Sequence, residues 1–234
     1  MLKIFALLVM TIDHADRILL DHSVHWMTVL GRFAFPLFAF MIARNGLYTS
    51  NAKQYLKLLI LFGVLSQPIY WWALDHDSFW DPLNVLFTLA LGLLGVRAWL
   101  NGNWWALPFI VAAGWFVEYR FEGVAVMIAI GFTVDSIRNR GLAHPLTIVG
   151  GALIALLSCL INTGGYMPSD MLTNDYAPWV ITAFALGFIT LAPRIEEFEK
   201  QFRWPGFRMF FYAYYPGHLA VLGLVALIIF GADV

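Results

Sequence analysis

The chain predicts an all-α fold, a polytopic integral membrane helical bundle of about nine transmembrane helices with its N-terminus inside. Three observations carry this. Hydrophobic residues make up 61% of the chain and charged residues 12%, a balance that no soluble domain shares. Apolar stretches of near-spanning length recur from end to end. The basic residues between them alternate from one side to the other.

The apolar segments run roughly over 2–20, 25–43, 54–74, 82–99, 103–117, 122–137, 143–162, 176–193 and 209–231. Several are short, so tilting, kinking or re-entry is expected, with Pro36, Pro108 and Pro216 as candidate kinks because proline removes a helix hydrogen bond. With the N-terminus inside, the inner segments hold Lys3, Arg44, Lys53, Lys57, Arg97, Arg138, Arg140, Arg194, Lys200, Arg203 and Arg208, which is 11 of the 14 Lys and Arg. The outer connections hold Asp75, Asp77, Asp81, Glu118, Arg120, Asp170 and Asp175. An even number of crossings would break that alternation. Trp26, Trp71, Trp72, Trp80, Trp104, Trp105, Trp179 and Trp204 fall near segment ends, as an interfacial belt does. The polar run RIEEFEKQFR, 194–203, reads as a short interfacial helix with a solvated charged face.

Composition also excludes. A net charge of −1 offers nothing to nucleic acid. The single cysteine, Cys159, has no disulfide partner and no metal-ligand spacing, and reads as a small buried apolar residue. The first segment runs straight into charged residues without a cleavage site, so it is expected to be retained. No polar stretch is long enough for an appended soluble domain, and no internal repeat of the transporter kind is visible.

The first segment, MLKIFALLVMTIDHADRILLD, is the unusual one. It begins as a plain apolar helix, then carries Asp13, His14, Asp16 and Arg17, and intramembrane ionisable residues usually face a bundle interior or a wet cavity. Lys3, Leu7, Met10, His14 and Arg17 share one helix face. Lys3 and His14 stand roughly 16 Å apart along it at 1.5 Å per residue, from the membrane surface to about halfway across. The stripe reads as a track from one side of the membrane to a histidine suited to act as a base. Neighbouring side chains on a helix diverge by about 100°, so Asp13 is expected to pair with Arg17 or another helix rather than to orient His14.

In the second segment, Arg32 of GRFAFPLFAF needs a carboxylate or an anionic ligand. It is either an ion-pair strut to Asp13 or a donor to a developing oxyanion. Asn84 of DPLNVLFTLALG, one turn before Thr88, is either an interhelical hydrogen-bonding residue or a site residue. Glu122 reads as an interfacial cap. At the far end, FYAYYPGHLAVLGLVALI puts His218 after Tyr212, Tyr214 and Tyr215, with Pro216 between. His22 and His25 read as outer-loop residues, and no metal-type cluster, P-loop or GxSxG motif is present, so no metal is expected.

Taken together, IDH in the first segment, GRFAFPLFAF, LNVLFTLALG and the final FYAYYPGHLAVLGLVAL resemble the TraX family of membrane N-acetyltransferases associated with conjugative F-type pilin. Lys3 and His14, ten residues between them, also resemble the basic-residue-X10-His pattern of the wider transmembrane acyltransferase group. The resemblance implies a single transmembrane acyltransferase domain over 1–234 in the bacterial inner membrane, with acetyl-CoA as donor. It implies phosphate contacts from Arg44, Lys57, Arg97 and Arg138, and a pantetheine arm along the Lys3–His14 stripe. His14 would act as base or acyl-carrying nucleophile, with Arg32 and Asn84 on the oxyanion and Asp13 holding Arg32 or Arg17. His218, Tyr214 and Tyr212 would line the pocket for a pilin α-amine arriving at the outer face. Two other readings fit the same residues: an O-acetyltransferase of a cell-surface glycan, and a small-solute or proton-coupled transporter using Asp13, His14 and Arg32 as a relay.

Overall fold

The structure is a computed structural model that describes residues 2–80, 82–162 and 207–231. The described residues are helical throughout, with one isolated bridge, Leu83 to Val117, and no strand. The helices are α1 (Leu2–Leu19), α2 (His25–Gly31), α3 (Ala34–Tyr48), α4 (Ala52–Ala73), α5 (Val85–Leu100), α6 (Leu107–Ala113), α7 (Arg120–Arg140), α8 (Pro145–Asn162) and α9 (Phe207–Phe230). Single 3-10 turns, Trp104–Ala106 and Gly114–Phe116, flank α6. The expected segment over 176–193 and the interfacial helix over 194–203 lie outside the described residues.

Around α5 pack α3, α4, α6 and α7, and α8 lies along α7. Close approach rests on small residues: a Cβ on Gly92 would collide with the Met127 side chain, so α7 packs Met127 directly onto the α5 backbone. On the other flank α1 touches α2, α3 and α9, and α9 runs along α4. The outward faces are apolar. Ile60, Leu61, Val64 and Leu65 on α4, Ile148, Val149 and Leu153 on α8, and Val221, Leu224 and Ile228 on α9 are all exposed. Helical stripes of this kind over so much of the surface suit hydrocarbon rather than water.

Among the described residues, three segments are long and apolar enough to cross a membrane: His25–Tyr48, Ala52–Ala73 and Met209–Phe230. Val85–Leu100, Trp104–Phe116 and Pro145–Ser158 are apolar but shorter. Sixteen residues, as in α5, reach only about 24 Å of a roughly 30 Å core. The prolines explain part of the segmentation. Pro36 sits in the first turn of α3, where a missing N–H is harmless, while its ring would meet the Arg32 carbonyl of a continuous helix; the chain breaks there, at Arg32 and Phe33. Pro108 likewise opens α6. Pro216 lies inside α9, and so does Pro68 inside α4, a position the sequence reading did not single out.

Candidate functional site

Helix α1 delivers His14 to the interior against α9. His14 and His218 are both buried, and His14 Nδ1 lies 2.6 Å from His218 Nε2. The other nitrogen of His218, Nδ1, lies 2.8 Å from the Tyr214 carbonyl oxygen. A carbonyl only accepts, so His218 Nδ1 carries the hydrogen. With both rings neutral, His218 Nε2 is then an acceptor and His14 Nδ1 donates to it. The lone pair of the pair is left on His14 Nε2, which is the atom a general base or nucleophile uses.

Stacking holds this alignment. The His14 and His218 rings lie 4.9 Å apart, and Tyr214 stacks on His218 at 5.2 Å with an interplanar angle of 12°. Thr11 spends its hydroxyl hydrogen on the Leu7 carbonyl, so the Tyr214 hydroxyl, 2.7 Å away, donates to Thr11. Tyr214 therefore braces α9 against α1 one turn before His14. Tyr215 presents its ring edge to His14 at 6.3 Å.

Two cavities lie against α1, sharing no lining residue, and His14 lines neither. One, of about 410 Å³, begins at Lys3 and is lined by Asn45, Thr49 and Asn51 and then by apolar groups including Phe38, Leu86, Leu89 and Phe211. Lys3 holds its ammonium 5.4 Å from the centre of the Phe211 ring. Tyr212 also lines this cavity, stacked on Phe62. The sequence reading put Tyr212 with an outer acceptor pocket; its side chain stands instead on the Lys3 side, because it lies six residues before His218 toward the start of α9.

The ends of α3, α5 and α7 gather the expected phosphate contacts. Arg97 donates to the Gly46 carbonyl at 3.3 Å, and the Arg138 guanidinium lies 4.7 Å over Tyr48. Both thereby complement the C-terminus of α3. Lys57 is exposed on α4, and Arg44 is partly buried near the end of α3.

The second cavity, of about 340 Å³, is lined by Asp13, Arg17, His22, Arg32, Glu118, Tyr119, Arg120, Glu122, Leu160 and Ile161. Arg17, Arg32 and Arg120 are the three basic residues that the inner segments leave over, and all three meet here. Arg32 is exposed at the break between α2 and α3 rather than enclosed in a continuous span. Among the described residues no ion pair within 4 Å joins Asp13 to Arg32 or Arg17; they interact across the cavity. Asp13 is pressed against Gly31, where a Cβ would come within 1.9 Å of its Oδ1. Asp16, in contrast, is structural: fully buried, it accepts from the Thr28 hydroxyl at 2.6 Å and the Val24 N–H at 3.2 Å, fixing the turn into α2. His22 sits on that turn, 3.6 Å from Asp16, and both His22 and His25 are exposed.

Glu118 lies in the connection between α6 and α7, outside both helices. Its N–H donates to the Leu83 carbonyl at 2.7 Å, and its carbonyl accepts from the Thr88 hydroxyl. Burial pushes its carboxyl up to about 7; Arg17 pulls it down and Asp13 adds to the rise. The next two residues, Tyr119 and Arg120, have φ of 63° and 45°, a conformation non-glycine residues avoid, so the cavity wall is held under local strain.

Asn84 is fully engaged elsewhere. Its amide donates to the Gly63 carbonyl at 2.8 Å and to Gln67 Oε1 at 2.7 Å, and its side-chain oxygen caps α5 through the Leu86 N–H. With both amide hydrogens taken, it has none for an oxyanion. Gln67 in turn donates to the Phe79 carbonyl, so this knot ties the 74–84 connection to α4 and α5. Sequence reasoning passed over Gln67, Glu118 and Tyr215. None of the three carried a signal that singled it out in the sequence. Among the described residues no His, Cys, Asp and Glu group has the makings of a metal site.

The described residues thus define a helical membrane protein with a buried, hydrogen-bonded histidine pair, a cavity at Lys3 and a charged cavity toward the other end of the same helix. The chain belongs to the TraX protein family, whose profile matches residues 1–226. It is 31% identical over 235 residues to Protein TraX of Escherichia coli strain K12, covering 97% of this chain and 86% of that one. It is 30% identical over 237 residues to the probable fimbrial assembly protein FimC, serogroup H1, of Dichelobacter nodosus, covering 94% and 92%. A second Protein TraX from Escherichia coli is 27% identical over 97% of this chain and 86% of its own. No solved structure matches.

Proposed function

We propose that the protein is a transmembrane N-acetyltransferase that moves an acetyl group from cytoplasmic acetyl-CoA to the N-terminal α-amine of a pilin in the bacterial inner membrane. The observation that carries this is the His14–His218–Tyr214 hydrogen-bond chain, which leaves a lone pair on His14 Nε2 in a water-poor interior. Family membership supports the pilin as acceptor.

The two cavities suit the two substrates. The Lys3 cavity has a polar, cationic mouth and an apolar interior, which matches a phosphate-bearing head on a thin pantetheine arm. Lys3 and the exposed Lys57 are free to meet phosphates, with Arg44, Arg97 and Arg138 raising the local positive potential. The opposite cavity holds Asp13, Glu118 and Glu122 among three arginines, a lining that offers carboxylates to an ammonium and guanidinium groups to backbone carbonyls. An α-amine is mostly protonated near neutral pH and must lose a proton before it attacks. That first proton leaves to solvent before the attack; His14 Nε2 then takes a second proton from the amine nitrogen as the C–N bond forms, and returns it to the departing thiolate as the C–S bond breaks. His218 fixes the His14 tautomer and stabilises the charge that develops on the ring, as the third member of a catalytic triad does. Tyr214 acts by holding His218, and Arg32 with Asp13 acts on the acceptor.

The test uses purified protein in detergent, acetyl-CoA and a peptide copying a mature pilin N-terminus, following peptide mass and free thiol together. Acetylated peptide with thiol release in the wild type, and neither in His14→Ala, is the expected result. Thiol release without peptide modification redirects the acceptor to a glycan hydroxyl. No thiol release from folded protein overturns the acetyltransferase reading and favours the solute-carrying one.

A further inference from the structure

An acyl transfer of this kind develops negative charge on the thioester oxygen as the tetrahedral centre forms, and a water-poor site needs a donor for it. The two residues that sequence reasoning offered are not disposed for this: Asn84 has both amide hydrogens committed, and Arg32 is exposed at the α2–α3 break. One buried group is disposed for it. Tyr215 is 3% exposed, and its hydroxyl has no hydrogen-bond partner among the described residues. A buried hydroxyl without a partner loses free energy that folding alone does not explain. Phenylalanine would fill the same space without that loss.

Its placement gives the hydroxyl a use. The Tyr215 ring packs edge-on against His14 at 6.3 Å and tilted against His218 at 5.8 Å, so it is seated on both members of the pair. The unpartnered donor is thus carried on a ring packed against both histidines, within reach of an oxyanion formed beside His14.

We propose that Tyr215 is a catalytic residue whose O–H donates the hydrogen bond that stabilises the oxyanion formed when the amine adds to the acetyl thioester beside His14. The bond changes are those of the transfer itself. The amine nitrogen bonds to the carbonyl carbon, the oxygen takes the π pair and accepts from Tyr215, and the C–S bond breaks as the carbonyl re-forms. Tyr215 keeps its proton throughout. This rests on the acetyltransferase reading.

Tyr215→Phe tests it, because it removes one oxygen and keeps the ring. The expected result is a kcat about 100- to 1000-fold lower, by the usual effect of deleting an oxyanion donor, with the Kd for acetyl-CoA unchanged and the Tm unchanged or higher. Three results count against it. Wild-type kcat in the variant overturns the proposal while leaving the acetyltransferase reading intact. A lower Tm would mean that the hydroxyl has a structural partner, which also overturns it. A folded wild type that transfers nothing takes down the acetyltransferase reading and this proposal together.

Discussion

Removing His218 separates a positioning role from a packing one. His14 Nδ1–H donates to His218 Nε2 at 2.6 Å, and among the described residues no other acceptor serves it. In His218→Ala that buried donor is left without a partner, which costs about 1–3 kcal/mol. The ring can avoid the loss by changing tautomer or by rotating, and either change takes the lone pair away from Nε2. If the whole of that energy is what holds His14 in its reactive form, the rate falls by about 5- to 150-fold at 1.36 kcal/mol per decade. The fall should appear in kcat and leave the KM for acetyl-CoA near its wild-type value, because His218 lines neither cavity. His218→Gln is the control: the end of a glutamine side chain can place an acceptor oxygen where Nε2 stood, so it should recover a good part of the rate. Initial rates of thiol release from acetyl-CoA, with acceptor peptide present, measure both variants. A His218→Ala protein that folds and turns over at the wild-type rate would refute the hydrogen-bond chain as the basis of His14's reactivity. Equal loss in both variants would assign His218 to packing.

Other consequences are open to measurement. Lys3→Ala should raise the KM for acetyl-CoA severalfold and leave kcat unchanged, since Lys3 stands at the mouth of its cavity and about three turns from His14. Glu118 has a folded-state value of about 7 against an ordinary 4.5, so the folded protein binds more protons than the unfolded chain between those values. Stability should therefore fall as pH rises from about 4.5 to 7 and level off above, and the slope should be shallower in Glu118→Gln, read as Tm against pH in detergent. Gly31→Ala should destabilise by about 1–3 kcal/mol and raise the KM for the acceptor, because the added Cβ would stand 1.9 Å from Asp13 Oδ1. A change in neither Tm nor KM would mean that Asp13 can move freely.

The parts of the site that were legible in the sequence are those that violate the chemistry of a membrane. His14, Asp13 and Arg32 stand out because leucine would be cheaper there, and His218 stands out for the same reason. What the sequence does not carry is the partner of each. Asp13 and Arg32 invite pairing by charge and by the hairpin between their segments, yet Gly31 lets Asp13 lodge against the end of α2 while Arg32 turns out at the break that Pro36 imposes. Asp16 is one turn from Asp13 and looks equivalent on paper. Backbone geometry alone makes it the cap of the α2 turn. His14 and His218 are 204 residues apart, so nothing short of the packing of α1 on α9 could join them. Tyr215 was hidden differently: beside a segment end it reads as one more belt tyrosine, and only burial without a partner marks it out.

The placement of charge along α1 ties these pieces together. Eleven of the 14 basic residues belong to segments assigned to the inner side, and the remaining three, Arg17, Arg32 and Arg120, converge on the cavity at the far end of α1. Topology alone does not ask for that convergence. A protein needing only to stay in the membrane would leave those three positions apolar or scatter them, since each guanidinium is expensive near hydrocarbon. Their concentration beside Asp13, Glu118 and Glu122 instead builds a small polar chamber one residue away from the reactive histidine, with Tyr119 and Arg120 held at strained backbone angles to complete its wall. Strain at Tyr119 and Arg120 beside the buried Glu118 carboxyl costs stability twice, and a binding site for a polar group is what such a chamber offers in return. The end of α1 beginning at Lys3 shows the opposite economy: its arginines are consumed at the C-terminus of α3, and the cavity behind Lys3 is mostly apolar. A carrier passing one solute through would need both chambers to suit the same molecule. Here the two differ in charge and polarity, and α1 carries Asp13, next to His14, at one and Lys3 at the other, which suits a transfer between two unlike substrates.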